Sequence, residues 1–242
     1  DSLLSQAGSL TISRDSQNGV LIGTTLGNVT DSFTYDGFGT VANYSANVNA
    51  TPVFSNQFTR DKLGRIAQKV ETIGGLVHTF DYGYDLAGRL EQVKQDSLVT
   101  ASYTYDSNGN RLTGPNPLNT ATFDDQDRLL SYAGSTYDYT ANGELKSKTK
   151  GTAITSYDYD VLGNLKHVTL PGGTSIDYVI DGQNRRIGKK VGSTLVQGFL
   201  YQDSLKPIAE LDGANTVISR FVYATGVNVP DYMVNGGQTY RI

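Results

Sequence analysis

A nine-residue phrase recurs along the chain at uneven distances. It reads FTYDGFGTV at 33–41, YGYDLAGRL at 82–90, YTYDSNGNR at 103–111 and YDYDVLGNL at 157–165. A catalytic motif is needed once, whereas a phrase that is copied many times is typical of a structural unit stacked on its own copies. The repeat therefore constrains the fold more than any other feature of the sequence.

Two columns stand out when the copies are aligned. The first is Asp in all copies but one and holds Asp15, Asp36, Asp61, Asp85, Asp106, Asp124, Thr140, Asp160 and Asp181. The second lies three residues later and holds Asn18, Gly39, Gly64, Gly88, Gly109, Asp127, Gly143, Gly163 and Asn184. Gly, Asn and Asp are the residues that best tolerate a left-handed backbone. The columns predict a type I turn that begins at the Asp, a left-handed residue and a bulge, which together close a β-hairpin.

The segments between these turns have the composition of strands. Each contains Gly-rich outer turns such as IGGL at 73–76 and PGGT at 171–174, and no heptad or amphipathic helix is visible. Aromatic residues concentrate just before each Asp, so we expect aromatic side chains on both faces of a thin sheet. The fold class is therefore predicted to be all-β, one long antiparallel sheet of roughly 18–22 strands that must twist and curl.

The bulk composition excludes several classes of protein. The formal net charge of −4 gives no electrostatic footprint for nucleic acid, and the absence of cysteine excludes disulfides and thiolate metal sites. No apolar run approaches the roughly 20 residues of a membrane-spanning helix. No motif in the sequence indicates a cofactor, so we expect none.

The sequence supports a structural role for the repeat residues better than it supports metal binding, catalysis or saccharide binding. A calcium ladder needs six to eight oxygens, whereas each turn offers one carboxylate. His78 and His167 lie in unlike contexts with no local catalytic motif, so we expect no enzymatic activity. A row of tyrosines could stack on saccharides, although cross-strand aromatic pairs are also ordinary sheet contacts. The candidate carbohydrate contacts are Tyr103, Tyr105, Tyr137, Tyr139, Tyr157 and Tyr159.

The repeated YDxxGR and YDxxGN units resemble the YD-repeat, or Rhs-repeat, family over essentially the whole chain. The resemblance implies a spiralling β-sheet that closes into a hollow shell around a toxin or other cargo, and teneurin adhesion receptors use a similar barrel. The resemblance implies that residues 1–190 are the array of YD hairpins and that 191–242 correspond to the segment that precedes the Rhs core, the two forming one continuous structural unit. The family's autoproteolytic site has an Asp-Pro pattern, which this sequence lacks.

The expected function is that of a structural shell segment, from a secreted or cell-surface bacterial protein, that encapsulates or displays a toxin or other cargo. Its expected partners are the rest of the parent shell and a C-terminal cargo. A cell-surface adhesion or carbohydrate-binding module is the alternative, with glycans as partners. Because a sheet fragment has two free edges, we also expect edge-to-edge self-association, or capping of the edges by residues 1–10 and 225–242.

Overall fold

The computed structural model describes residues 3–242, which form β-strands and turns without any helix. The strands make two antiparallel sheets, and in each sheet neighbours in sequence are neighbours in space. This confirms the prediction of an all-β array of consecutive hairpins. Since the described residues contain no helix, none of their segments is a candidate for a helical membrane span.

The first sheet has ten strands in chain order. They are β1 Gln6–Ala7, β2 Leu10–Arg14, β3 Leu21–Leu26, β4 Val29–Tyr35, β5 Val41–Val48, β6 Thr51–Arg60, β7 Ile66–Ile73, β8 Leu76–Tyr84, β9 Leu90–Gln95 and β10 Leu98–Ser102.

The second sheet has thirteen strands, again in chain order. They are β11 Thr122–Phe123, β12 Leu129–Tyr132, β13 Ser135–Tyr139, β14 Leu145–Lys150, β15 Ala153–Tyr159, β16 Leu165–Thr169, β17 Ser175–Ile180, β18 Arg186–Val191, β19 Thr194–Tyr201, β20 Pro207–Leu211, β21 Val217–Val222, β22 Tyr232–Asn235 and β23 Gln238–Arg241.

The chain divides into two compact units. The first extends to Tyr105 and includes Thr113–Leu118, and the second contains Asp106–Leu112 and Asn119–Tyr240. Instead of the one long sheet that the repeat predicted, the ladder is interrupted between β10 and β11, where the sequence PNPLN at 115–119 supplies two prolines. Proline removes a backbone donor, which disfavours a continuous ladder. The segment 191–242 continues the second sheet without a break in strand order.

The two aromatic columns before the Asp residues lie on one face of the sheet, so the expectation that they would cover both faces next to the turns was wrong. Tyr82 and Tyr84 are two residues apart along β8, and residues two apart share a face. The register continues that face across the first sheet, since Phe58 lies opposite Lys69 and Lys69 lies opposite Phe80. The two aromatic columns before each Asp therefore form one surface.

The opposite face is a ladder of small polar side chains. The hydroxyls of Ser32 and Ser45 are 2.8 Å apart, and Gln68 Nε2 donates to Asp81 Oδ1 over 2.8 Å. In the second sheet, Ser147 Oγ donates to Asp138 Oδ2 over 2.9 Å. Each of these pairs is also a pair in the strand register, so the polar face is held by cross-strand hydrogen bonds.

Few apolar side chains are fully buried, as expected of sheets that are each one layer thick. The buried apolar residues among those described are Leu10, Ile12, Leu26, Ala101, Ala121, Val168, Ala209 and Tyr232. Large apolar side chains at the turn tips are open to solvent, with Phe38 96% and Leu86 110% exposed. The hairpins must therefore be held together largely by contacts between neighbouring strands and turns.

The second column of the repeat adopts the predicted left-handed backbone in eight of its nine copies. The φ angles range from 59° at Asn184 to 95° at Gly143. The first copy is the exception, because its left-handed residue is Gly19, with φ 74°, and not the predicted Asn18. The turn after Asp15 contains one more residue than the others, since the Asp15 amide donates to the carbonyl of Val20.

Gly64→Ala should destabilise the protein by about 1 kcal/mol, because a left-handed backbone costs roughly 1–2 kcal/mol for a residue with a Cβ. No atom lies within 4 Å of a Cβ built at Gly64, where φ is 79°, so the cost is conformational and not steric. Urea unfolding measures the loss.

The control is Gly37→Ala in a neighbouring turn, where the added Cβ also meets open space and φ is not left-handed. Gly64→Asn should lower the free energy of unfolding less than Gly64→Ala does, because Asn tolerates the left-handed region better. Equal stability of the two Ala variants would contradict the prediction.

Candidate functional site

The candidate site is the row of YD turns, which we call the turn ladder: the nine Asp-column residues, the residues that follow them in each turn, and the residue before each Asp. The turn at Asp85 shows its geometry. The Asp85 amide donates to the carbonyl of Arg89 over 2.9 Å, and the Gly88 amide donates to the carbonyl of Asp85 over 2.9 Å. These bonds close a hairpin loop of three residues, as the sequence predicted.

The Asp side chain binds both the backbone and a cation within its own turn. Asp85 Oδ1 accepts the amide of Arg89 at 2.9 Å, and Asp85 Oδ2 accepts Arg89 Nε at 2.7 Å. The same Nε-to-Oδ2 bond, also 2.7 Å long, joins Asp61 to Arg65, Asp124 to Arg128 and Asp181 to Arg185. The carboxylate is therefore fixed by its own turn, and it fixes the guanidinium in place.

Three further residue types replace Arg at this position. Asn110 and Asn164 donate Nδ2 to the carboxylates of Asp106 and Asp160 over 3.0 and 2.9 Å. Thr40 donates its hydroxyl to Asp36 over 2.5 Å. At the copy that lacks Asp, the polarity is reversed, because the hydroxyl of Thr140 donates to the carboxylate of Glu144.

The tyrosine that precedes the Asp joins one hairpin to the one before it. The hydroxyl of Tyr84 donates to the carbonyl of Ile66 over 2.7 Å, five residues after the turn residue Asp61 of the preceding hairpin. The corresponding bonds run from Tyr35 to Leu21, Tyr105 to Leu90, Tyr139 to Leu129, Tyr159 to Leu145, Tyr201 to Arg186 and Tyr223 to Pro207. The Tyr of the motif is thus a specific fastener between hairpins.

The turn arginine covers the ring of the same tyrosine. The Arg65 guanidinium lies 4.3 Å from the centroid of the Tyr84 ring, and Arg89 lies 4.4 Å from that of Tyr105. Such cation–π contacts contribute roughly 0.5–1 kcal/mol at exposed sites. A chain of contacts therefore runs from the Asp to its Arg, from the Arg to the next Tyr, and from that Tyr back to the first hairpin.

Arginine takes the place of this tyrosine in two copies. Arg60 Nη2 donates to the carbonyl of Val41 over 3.4 Å, and Arg14 Nε donates to the carbonyl of Leu4 over 3.1 Å. The position before the Asp therefore holds a long side chain with a terminal donor in seven of the nine copies, the exceptions being Phe123 and Ile180.

Hydrogen bonding within the turns shifts the pKa of their carboxyl groups. The backbone amide of the residue four positions on, together with its guanidinium, holds the pKa of Asp85, Asp124 and Asp181 below the usual Asp value. Burial against the neighbouring hairpin raises the pKa of Tyr84, Tyr139 and Tyr159. The turn carboxylates are therefore ionised and the tyrosines neutral at neutral pH.

The six tyrosines proposed for carbohydrate contact are all half-buried. The hydroxyls of Tyr105, Tyr139 and Tyr159 already donate to carbonyls of the preceding hairpins. The other three, Tyr103, Tyr137 and Tyr157, belong to the earlier aromatic column on the same face. The structure thus assigns the column next to the Asp to contacts between hairpins.

Both histidines pair with aspartates across strands. His78 Nδ1 lies 2.7 Å from Asp96 Oδ2, and His167 Nδ1 lies 2.7 Å from Asp177 Oδ1. His167 Nε2 is also 3.2 Å from Thr169 Oγ1, which gives a hydroxyl–imidazole–carboxylate series on an open sheet face. Over residues 3–242 no group of three or more His, Cys, Asp or Glu side chains could hold a metal ion.

Sequence reasoning did not recognise that two further loops share the turn geometry. The amides of Leu170 and Asp212 donate to the carbonyls of Thr174 and Thr216, each over 2.9 Å, at the opposite ends of the strands. The Gly-Gly of 172–173 and the Asp212-to-Asn215 spacing were the available signals. A different loop, which joins β21 to β22, is held by the buried side chain of Asp231. Its Oδ2 accepts the backbone amides of Ala224 and Thr225 at 2.6 and 2.9 Å.

A turn ladder that runs from Asp15 to Arg185 defines a YD-repeat domain. The Teneurin YD-shell family model matches residues 2–242. The chain belongs to the Teneurin YD-shell family, which confirms the resemblance that the repeated YDxxG units indicated.

Relatives of the chain include animal and bacterial proteins. Teneurin-3 of Mus musculus is 30% identical over 154 residues, which are 61% of this chain and 6% of that protein. The tRNA nuclease WapA of Bacillus subtilis (strain 168) is 29% identical over 147 residues, which are 56% of this chain and 6% of WapA. The chain thus spans only a small part of the length of each relative.

Among solved structures, the crystal structure of TcdB2-TccC3-Cdc42 superimposes over 95% of this chain and 14% of that chain. The TM-score is 0.48 and the sequence identity 13%. A TM-score below 0.5 does not by itself establish a common fold, so the family assignment rests on the sequence match.

Tyr84→Phe should lower the free energy of unfolding by about 1 kcal/mol, because the carbonyl of Ile66 loses a half-buried hydrogen-bond donor. Tyr82→Phe, on the same strand but outside the fastening column, is the matched control. Urea unfolding of both variants provides the measurement, and an equal loss in both would contradict the assigned role.

Acid should destabilise the protein through the turn carboxylates. Their folded-state pKa lies below the unfolded value of roughly 3.9, so their contribution is fully present above that value and is lost as the pH falls through the folded-state pKa. Urea midpoints should therefore hold steady down to about pH 5 and decline below about pH 4.

Asp85→Asn should make this decline shallower, whereas Asp125→Asn, at an exposed turn position, should leave it unchanged. A decline of the same steepness in Asp85→Asn and in the unsubstituted protein would exclude the turn carboxylate as a cause.

Proposed function

We propose that the chain is a segment of a protein shell that encloses or displays a polypeptide cargo and has no catalytic activity of its own. The observation that carries this proposal is the turn ladder, in which the repeat residues are used to fasten hairpins to one another. Membership of the YD-shell family supports the same structural role. The remainder of the shell and a cargo domain, both outside this chain, are the partners that the proposal requires.

The wall would be sealed by the backbone hydrogen bonds between its strands. Each inner strand pairs on both sides, so its amides and carbonyls are satisfied by its neighbours. The fasteners add a second set of bonds at the turn ends of the strands, where a sheet would otherwise fray. A wall built in this way is continuous enough to exclude a protease from one of its sides.

The proposed setting is a secreted or cell-surface protein. Membership of the YD-shell family, which includes relatives in animals and bacteria, supports this setting. Edge-to-edge self-association of the chain remains part of the proposal. The edge strands β1 and β11 have two residues each, β23 has four and β10 has five, so pairing between copies would use short edges. Residues 225–242 add strands β22 and β23 to the second sheet, and residues 1 and 2 of the other predicted capping segment lie outside the described residues.

Carbohydrate binding or adhesion is the second candidate. It would use the earlier aromatic column, because Tyr137 and Tyr157 in that column are not fasteners between hairpins. A glycan array distinguishes the two functions, since saturable binding that is lost in Tyr137→Ala would favour a carbohydrate-binding module.

Protease protection tests the shell function in the full-length protein that contains this chain. Under native conditions the cargo domain should resist a protease that digests the same domain expressed alone. The double variant Tyr84→Ala, Tyr105→Ala removes two fasteners and should raise the rate of cargo cleavage by about tenfold, the equivalent of roughly 1.4 kcal/mol of easier opening.

Lys62→Ala at an exposed turn tip is the control and should leave the cleavage rate unchanged. Cleavage of the cargo in the unsubstituted protein at the rate of the free domain would overturn the proposed function.

A further inference from the structure

We propose that neighbouring hairpins are matched to each other by a pair of turn residues, so that the turns help to specify the order of hairpins in the sheet. One member is the residue four positions after the turn Asp of one hairpin. The other is the left-handed residue in the turn of the next hairpin. We call this pair a junction. The inference does not depend on whether the shell holds a cargo.

Two junctions are direct hydrogen bonds between side chains. Asn110 Nδ2 donates to Asp127 Oδ1 over 2.6 Å, and Asn164 Nδ2 donates to Asn184 Oδ1 over 3.2 Å. Asp127 and Asn184 hold φ angles of 60° and 59°, which glycine would adopt without strain. Their side chains are therefore explained by the preceding hairpin and not by their own turns.

The other junctions inside each compact unit pair a residue other than Asn with glycine. Apart from the longer first turn, which ends at Val20, they are Thr40 with Gly64, Arg65 with Gly88, Arg128 with Gly143 and Glu144 with Gly163. Among these YD turns, an Asx residue thus occupies the left-handed position only where the preceding hairpin supplies Asn; the left-handed Asn215 belongs to a loop at the opposite ends of the strands.

Geometry explains part of this rule. A Cβ at Gly88 would lie 3.3 Å from Arg65 Nη1, and a Cβ at Gly163 would lie 3.8 Å from Glu144 Oε1. The long side chains therefore reach over the glycine of the next turn, and the shorter Asn leaves room for a side chain that accepts its amide. Around Gly64 and Gly143 the space is open, so the left-handed backbone alone favours glycine there.

Matching matters because the hairpins are otherwise alike. The backbone hydrogen bonds recur in every copy and the tyrosine fasteners in most, so these contacts hold hairpins together without distinguishing one from another. A hairpin with Asn164 placed beside a glycine turn would keep the bond from the Asn164 amide to Asp160 but lose the second acceptor, Asn184 Oδ1, which disfavours the wrong order. The junctions therefore add specificity where the repeat itself provides none.

A double-mutant cycle on Asn164→Ala and Asn184→Gly tests the junction in the purified protein by urea unfolding. The double variant should be more stable than the two single variants predict, by about three- to tenfold in the folding equilibrium constant, because one hydrogen bond cannot be lost twice. If Asn164→Ala does not fold, Asn164→Ser replaces it in the same cycle.

A control and a transfer experiment separate matching from general destabilisation. The control combines Asn164→Ala with Asp127→Gly, which lie in hairpins that are not neighbours. Their effects on the folding equilibrium constant should be independent and therefore multiply. Building a new junction with Glu144→Asn and Gly163→Asn should give a double variant more stable than the two single variants predict. Additive effects in the first cycle, equal coupling in the control, or no coupling at the transferred junction would each overturn the proposal.

Discussion

The hydrogen bonds that a turn carboxylate accepts from its own turn are the interaction on which the rest of this structure depends. Asp61, Asp85, Asp124 and Asp181 each fix an arginine four residues later. In a free chain that guanidinium would sample many rotamers, and each contact it made would carry an entropic cost. Held by the carboxylate, it is already in place to cover the tyrosine of the next hairpin.

This arrangement substitutes for a conventional core. Each sheet buries few apolar side chains completely, so hydrophobic burial by itself leaves the hairpins weakly associated. Hydroxyl-to-carbonyl bonds, cation–π contacts and polar cross-strand pairs each contribute little, but they recur many times along the two sheets. Stability is therefore distributed along the ladder, and loss of one fastener is expected to act mainly on the hairpins beside it.

The contacts that hold hairpins together differ from the contacts that determine which hairpins are neighbours. Tyrosine and arginine recur because any hairpin can use them against any neighbour, whereas the junction residues differ from copy to copy. A repeat wall needs both kinds of contact, because uniform fasteners would allow hairpins to pair out of order.

Sequence reasoning succeeded where the physics is local. The position and type of the turns followed from the Asp and Gly columns, since a left-handed residue and an Asx bond involve at most five consecutive residues. Reasoning failed at Asn18, where an inserted residue moved the left-handed position to Gly19. It predicted a turn at PGGT, 171–174, but not that the loop at Leu170 reaches the same backbone geometry without a carboxylate.

The larger error concerned the faces of the sheet. Aromatic residues were expected on both faces, but the two columns are two residues apart and thus share one face. The function of the column next to the Asp was also hidden, because the acceptor of Tyr84 lies eighteen residues away at Ile66. A sequence lists the donor, but the strand pairing brings its acceptor within reach.

By itself the sequence determined the hairpins: where the chain turns, which residues take the left-handed backbone, and that the fold is all-β. These are decided within single turns, by steric limits on φ and by bonds between near neighbours. Only the tertiary structure decided which tyrosine binds which carbonyl, which arginine covers which ring, and where one sheet ends and the next begins. Those outcomes depend on the register between strands, which arises from many weak contacts across the sheet and is written in no single segment of the chain.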